Sequence, residues 1–105
     1  MAVPATDTLK ISSDGRAAES TLDRRVVWCA QTPQVFRTSI LRELLARAQH
    51  DGFRPTDDAA LHEKYLGPVP IVPGEARNVK ITTSEDLALC ESILRVAQAK
   101  EAPRP

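Results

Sequence analysis

The chain has 105 residues, enough for one domain of ordinary size. Fourteen basic and fourteen acidic side chains cancel to a formal net charge of 0, which argues against a nucleic-acid-binding face built on an excess of Lys and Arg. No apolar run approaches the roughly 18 residues of a membrane span, and MAVPATDTLK has no basic stretch leading into an apolar one, so a soluble, cytoplasmic chain without a membrane segment is expected.

Aromatic residues make up only 4% of the chain, so a core must come mainly from Leu, Ile, Val and Ala. Cys29 and Cys90 lie far apart, among apolar neighbours and without metal-ligand spacing; they read as buried free thiols. In chain order, the first element is a two-stranded ribbon. Thr6 to Ile11 alternates imperfectly, Ser12-Ser13-Asp14-Gly15 supplies the turn, and Arg16 to Thr21 is the return strand. Leu9 and Ile11 face little more than Ala17 and Ala18, so the ribbon needs another surface to lie on. It reads as a protruding arm, residues 1–22, that packs on a partner subunit.

Arg25 to Cys29 is a short apolar run with two β-branched residues and reads as a strand, with Trp28 in the core. Adjacent Arg24 and Arg25 would then point to opposite faces, so that only one could serve a site. Asp23 could hold either by a bidentate pair, and a surface salt link without function is the competing explanation. Thr32-Pro33 breaks the strand, and a hydroxyl at a strand's carboxyl end in an α/β layer is well placed to touch a ligand; simple turn chemistry is the rival.

Thr38-Ser39 should cap a helix from about Ile40 to His50. Ile40, Leu41, Leu44, Leu45 and Ala48 lie on one side, and Gly52 suits its end. Thr56-Asp57-Asp58 opens a second helix that ends at Leu66-Gly67, with capping enough to account for its acidic residues. Pro68 to Gly74 reads as a short edge strand interrupted by Pro70. Asn78 to Thr82 reads as another short strand. There Lys80 shares a face with Asn78 and Thr82, either to hold a phosphate or simply to discourage edge-to-edge pairing.

Thr83 or Ser84 caps a closing helix through roughly Gln98, with Leu87, Cys90, Leu94 and Ala97 as its apolar stripe and Ile93 beside it. Residues 101–105 form a polar tail. The interleaved elements indicate an α/β layer over residues 23–100. None of the strands is the continuous apolar run of a buried parallel strand. Gly15, Gly52, Gly67 and Gly74 are scattered, leaving no Gly-rich phosphate loop, and His50, His62 and the acidic residues form no metal spacing.

Five segments together carry a resemblance: TDTLK, TLDR, WCAQTPQVF, TDDA and NVKITTSEDL, in that order from Thr6 to Leu87. They resemble the C-terminal half of the 2-C-methyl-D-erythritol 4-phosphate cytidylyltransferases, over nearly the whole chain from about Val3 to Leu94. The resemblance implies a Rossmann-like nucleotidyltransferase layer with a β-hairpin arm, a homodimer formed through that arm, and an N-terminal half of the sheet that is absent here. It implies a Mg²⁺-dependent transfer of a cytidylyl group from CTP to methylerythritol phosphate with release of pyrophosphate, on the non-mevalonate route to isoprenoid precursors.

By resemblance, Thr8 and Arg24 are arm residues that reach across a dimer to the methylerythritol phosphate, Thr32 lies beside that phosphate, and Lys80 neutralises the reacting phosphates. Arg25 departs from the small or polar residue often found there. The Gly-rich CTP loop and the Asp-containing segment of the N-terminal half are not in this sequence, so the chain alone should be inactive, with any N-terminal half supplied separately. A non-catalytic dimerisation or phosphate-binding module derived from the enzyme is the alternative.

Overall fold

A computed structural model describes residues 1–103. They divide into two compact units, one formed by Ala2–Thr32 with the chain from Pro73 onward, the other by Pro33–Val72 with Met1.

The first unit opens with β1 (Ala2–Pro4), followed by β2 (Lys10–Ile11), β3 (Ser20–Thr21), a 3₁₀ turn at Arg24–Val26 and β4 (Trp28–Ala30). The expected hairpin forms, with Lys10 opposite Thr21 and Ile11 opposite Ser20. It is shorter than the sequence suggests, because residues 12–19 are loop rather than turn plus return strand. Local side chains compete for that backbone. The Asp14 carboxylate accepts the N–H groups of Arg16 and Ala17 at 2.8 and 3.3 Å, the Ser12 hydroxyl accepts that of Gly15 at 3.0 Å, and Ser13 bonds Glu19. Gly15 takes φ 71°, a left-handed conformation open to glycine.

The strand expected at Arg25–Cys29 begins only at Trp28. Asp23 caps the 3₁₀ turn by accepting the Arg25 N–H at 3.1 Å, which diverts the arginines from extended backbone. Strand alternation therefore does not govern Arg24 and Arg25. β4 pairs antiparallel with β1, in a register of Ala2 with Ala30, Val3 with Cys29 and Pro4 with Trp28. This pairing has no clear signal in sequence. Ala2 and Ala5 are buried by it, whereas Trp28 is 43% exposed and Cys29 is exposed, so neither is core. Both cysteines are free, as expected, and Cys90 is half-buried.

Neither expected later strand, Pro68 to Gly74 nor Asn78 to Thr82, forms among the described residues. Pro73 makes a single parallel bridge to Ala2, and the Gly74 N–H donates to the Ala2 carbonyl at 2.9 Å. Asn78–Thr82 is not a strand. It follows a turn in which the Asn78 N–H bonds the Glu75 carbonyl at 3.0 Å, and no described segment offers it a ladder. A strand exists only through a neighbour that takes its N–H and C=O groups, so alternation alone cannot create one.

The unit closes with α3 (Ser84–Glu101), which extends to the start of the expected tail; residues 104–105 of that tail lie outside the described residues. Its N-terminus is a capping box: the Thr83 hydroxyl accepts the Asp86 N–H at 3.2 Å and the Asp86 carboxylate accepts the Thr83 N–H at 3.0 Å. No residue of α3 is buried. Cys90, Ile93 and Ala97 form a half-buried stripe, but Leu87 and Leu94, expected on it, are exposed.

In the second unit, α1 (Thr38–Asp51) and α2 (Asp58–Tyr65) pack around Leu44, Ala48 and Leu61, with Ile40, Leu41, Phe53 and Tyr65 against them. Leu45, expected on the same face, is exposed. Thr38 and Ser39 do not cap α1: the N-cap is Arg37, which makes no side-chain cap bond. Gly52 ends the helix in the left-handed region at φ 69°, letting the Phe53 N–H reach the Ala48 carbonyl at 2.9 Å. Asp57 caps α2 through the Ala60 N–H at 2.9 Å, and Gln34 reinforces that cap by bonding Asp57 at 2.9 Å and the Ala59 N–H at 3.1 Å. No helix among the described residues is long and apolar enough to cross a membrane.

Much apolar side-chain area is uncovered among the described residues, including Ile81, Leu87, Leu89, Leu94 and Val96.

Two outcomes follow. Leu61→Ala, at a fully buried site, should cost about 2–5 kcal/mol, while Leu94→Ala, on a 60% exposed side chain, should change stability by less than about 0.5 kcal/mol; urea midpoints compare the two. The Asp86 carboxyl lies below its ordinary value of 3.8, chiefly through the backbone N–H and hydroxyl of Thr82 and then Thr83. A folded pKa below the unfolded one stabilises α3 above pH 3.8, and that contribution is lost as pH falls through the lowered value. Carboxyl NMR titration should place the Asp86 midpoint below 3.8, and Asp86→Asn should remove this part of the acid sensitivity of the α3 N-terminus.

Candidate functional site

Thr8, Arg24, Thr32 and Lys80 all fall in the first unit and all are exposed. Thr8 sits in the arm just before the Leu22 N–H to Leu9 carbonyl bond of 3.0 Å that continues the hairpin toward its base. Arg24 ties that base down, its Nη1 donating to the Thr6 carbonyl at 2.8 Å. One of the guanidinium's five N–H donors is thus committed, and no carboxylate among the described residues neutralises the group.

Arg25 is held differently. Its Nε and Nη2 grip the Asp23 carboxylate at 3.0 and 2.8 Å. The guanidinium holds the Asp23 carboxyl below its ordinary value, and Asp23 raises Arg25 in return. The pair is exposed, so it contributes little to stability. Its consequence is local: of two adjacent cations, Arg25 is spent on Asp23 and Arg24 is left without an acid.

The same division recurs at the other end of the unit. Arg77 bonds Glu75 at 2.7 Å, which raises its pKa, while Lys80 has neither an ion pair nor a side-chain hydrogen bond among the described residues. Between these segments lies an exchange of side-chain amides. Gln31 Nε2 donates to the carbonyls of Glu75 at 2.8 Å and Asn78 at 3.2 Å, and Asn78 Nδ2 donates to the Thr32 carbonyl at 2.9 Å. Thr32 and the segment leading to Lys80 are therefore joined through backbone carbonyls, and the Thr32 hydroxyl is left without a partner among the described residues.

The structure thus ties Arg24 to Thr6, two residues before Thr8 in the chain, and Thr32 to the Lys80 segment through Asn78. Gln31 and Asn78 were missed as contributors. The only sequence signal for them was their place inside the quoted segments, beside Thr32 and Lys80.

A groove of about 310 Å³ beside α3, lined by Arg77, Ser92, Ile93, Val96, Ala97 and Lys100, contains none of the four residues. No three His, Cys, Asp or Glu side chains converge as a metal site among the described residues. Asp57 is occupied as a helix cap and His62 Nδ1 lies 2.9 Å from the Gly67 carbonyl. Chemically, the arrangement offers two cations without a carboxylate partner and two hydroxyls without a hydrogen-bond partner among the described residues, which suits a phosphorylated ligand.

The family model of 2-C-methyl-D-erythritol 4-phosphate cytidylyltransferase (IspD) matches residues 1–96. The enzyme of that name from Syntrophus aciditrophicus is 46% identical over 100 residues, covering 94% of this chain and 42% of the relative. That from Bacillus licheniformis is 45% identical over 101 residues, covering 96% and 43%.

Among solved structures, the 2-C-methyl-D-erythritol 4-phosphate cytidylyltransferase of Thermus thermophilus superposes with a TM-score of 0.76 at 39% identity, over 90% of this chain and 46% of that one. The 4-diphosphocytidyl-2C-methyl-D-erythritol synthase of Anaerococcus prevotii gives 0.75 at 33% identity, over 90% and 44%. The fold is accordingly part of an α/β nucleotidyltransferase layer, and the chain spans less than half the length of the relatives it matches. On this match of family, sequence and fold, the chain belongs to the 2-C-methyl-D-erythritol 4-phosphate cytidylyltransferase family.

Proposed function

We propose that the chain is the C-terminal portion of an enzyme that transfers a cytidylyl group from CTP to 2-C-methyl-D-erythritol 4-phosphate, releasing pyrophosphate on the non-mevalonate route to isoprenoid precursors. The observation that carries this reading is the set of acid-free cations and unpartnered hydroxyls, Arg24, Lys80, Thr8 and Thr32, at the family's motif positions in one unit.

In this reaction an oxygen of the substrate phosphate attacks the α-phosphorus of CTP. A new P–O bond forms as the bond between the α-phosphorus and its bridging oxygen breaks, and pyrophosphate leaves with the electron pair. Such a transfer depends on positioning and on neutralising charge as it shifts between oxygens. Lys80, a compact ammonium on a flexible stem, is assigned to the phosphates at the reacting centre. Thr32 is assigned to donate its hydroxyl to the substrate phosphate. Thr8 from the arm and Arg24 at its base grip that phosphate from a second subunit, residues 1–22 acting as the dimerisation arm, 23–100 as the layer and 101–105 as a tail.

Mg²⁺ belongs with the nucleotide of the complete enzyme. The described residues do not fit it as a ligand set, because no three candidate ligands converge, and no step here is routed through it. Free Cys29 and Cys90 suit a reducing cytoplasmic setting. The four glycines stand at separate positions rather than in a phosphate loop, which is why the chain alone is assigned no turnover. The same observation favours, as the second reading, a phosphate-binding or dimerisation module without chemistry.

Purified chain with CTP, methylerythritol phosphate and Mg²⁺ should release no pyrophosphate above a blank. Co-expression with the N-terminal half of a family member should restore release; binding of substrate without any restoration would favour the module. In the restored enzyme, Lys80→Ala should lower kcat by about 10²–10³-fold. Arg24→Ala should act mainly through KM for methylerythritol phosphate, whereas Arg25→Ala, already committed to Asp23, should leave both constants within about twofold.

A further inference from the structure

We propose that Gln31 and Asn78 are positioning residues, a reciprocal pair of side-chain amides that holds Thr32 and the segment carrying Lys80 in fixed register; this rests on the reading of those two residues given above. Gln31 Nε2 bridges the Glu75 and Asn78 carbonyls at 2.8 and 3.2 Å, and Asn78 returns a bond of 2.9 Å to the carbonyl of Thr32. The bonds span 44 to 47 residues of sequence. They do what a strand ladder would otherwise do, for residues 78–82 have none among the described residues.

The orientation of the Gln31 amide is forced by chemistry. Its nitrogen faces two carbonyl oxygens, where an oxygen would repel, so Nε2 must point there. Oε1 is then buried against Gly74 with no hydrogen-bond partner among the described residues. That arrangement needs glycine. A Cβ at position 74 would overlap Gln31 Oε1 and lie 3.1 Å from its Cδ. Gly74 is not among the glycines with positive φ, so its backbone accepts alanine and the side chain alone is what alanine would displace.

Gly74 is itself fixed by its N–H bond to the Ala2 carbonyl at 2.9 Å, and Ala2 pairs with Ala30 next to Gln31. The brace is thereby closed on three sides: β1, the end of β4, and the turn before Lys80. The three bonds point only to carbonyls, so they fix backbone position and leave the Thr32 hydroxyl and the Lys80 ammonium to a ligand. A misplacement of about 1 Å can cost on the order of 10²-fold in rate, which makes registration of these two segments a catalytic matter without either amide touching substrate.

The test has two arms. In the 105-residue chain, amide hydrogen exchange at Asn78 and Val79 should quicken by about tenfold or more with Gln31→Ala, with the donor-free isostere Gln31→Met, and with Gly74→Ala, while helix content stays unchanged. Gly74→Ala added to Gln31→Ala should produce no further change, because no amide remains to displace. Unchanged exchange in Gln31→Ala and Gly74→Ala, or equal Gly74→Ala effects in both backgrounds, would overturn the brace.

In the enzyme restored with an N-terminal half, Gln31→Ala should lower kcat by about tenfold or more, and Lys80→Ala should then cost markedly less than in the Gln31 background. Additive losses would overturn the positioning role, since a merely structural amide would not couple to Lys80. Absence of turnover in the unsubstituted pair would sink the functional reading instead, and the exchange results would decide the brace by themselves.

Discussion

The hydrogen bonds that pass from Gln31 to Glu75 and Asn78, and back from Asn78 to Thr32, are the constraint on which the site-bearing unit depends. That unit has almost no core of its own. Among its described residues only Ala2 and Ala5 are buried, and α3 buries none. Apolar burial normally sets which segments lie together, and here it is too small to do so. Each exposed or half-exposed bond contributes only about 0.5–1.5 kcal/mol net. Such bonds cannot hold up a fold, but they are directional. They select one register among the many that a nearly coreless unit could adopt.

Charge is arranged on the same principle of local assignment. A net charge of 0 conceals two short segments in which one cation is satisfied and its neighbour is not: Arg25 with Asp23 beside Arg24, and Arg77 with Glu75 beside Lys80. The pairs add little stability in water. Their effect is to remove one positive charge from each segment's available set and to fix where the remaining one sits. A phosphorylated ligand approaching the unit would meet Arg24 and Lys80 as cations with no carboxylate to displace.

The helices were legible because their signals are local. Asp57, the Thr83–Asp86 box and Gly52 each act within one turn of chain, and the core of α1 and α2 follows from helical spacing. The strands were not. Alternation at Arg25–Cys29 lost to the Asp23 cap, and alternation at Asn78–Thr82 has no neighbour to act on. Residue chemistry alone raises Thr32 and Lys80 and leaves Arg24 and Arg25 undivided; the choice of Arg24 rests on resemblance, because the expected strand begins only at Trp28 and alternation does not reach the arginines. Trp28 and Leu94 looked like core because hydrophobicity says what would prefer burial, not whether a covering surface is present.

A missing covering surface also affects the Lys80 segment. Without a ladder, Asn78–Thr82 shows no clean alternation of faces: Lys80 is exposed, Val79 is half-buried and Ile81 is 54% exposed. A neighbouring strand would pair with this backbone, cover Ile81, and commit Lys80 to the face of Asn78 and Thr82. Asn78 already has its register from Thr32 and Gln31, so the strand would extend from a point that is set in advance. The amide brace thus fixes one end of the Lys80 segment and leaves the other to the rest of the sheet. A chain less than half the length of its relatives thus sets the position of Asn78 with its own side-chain amides.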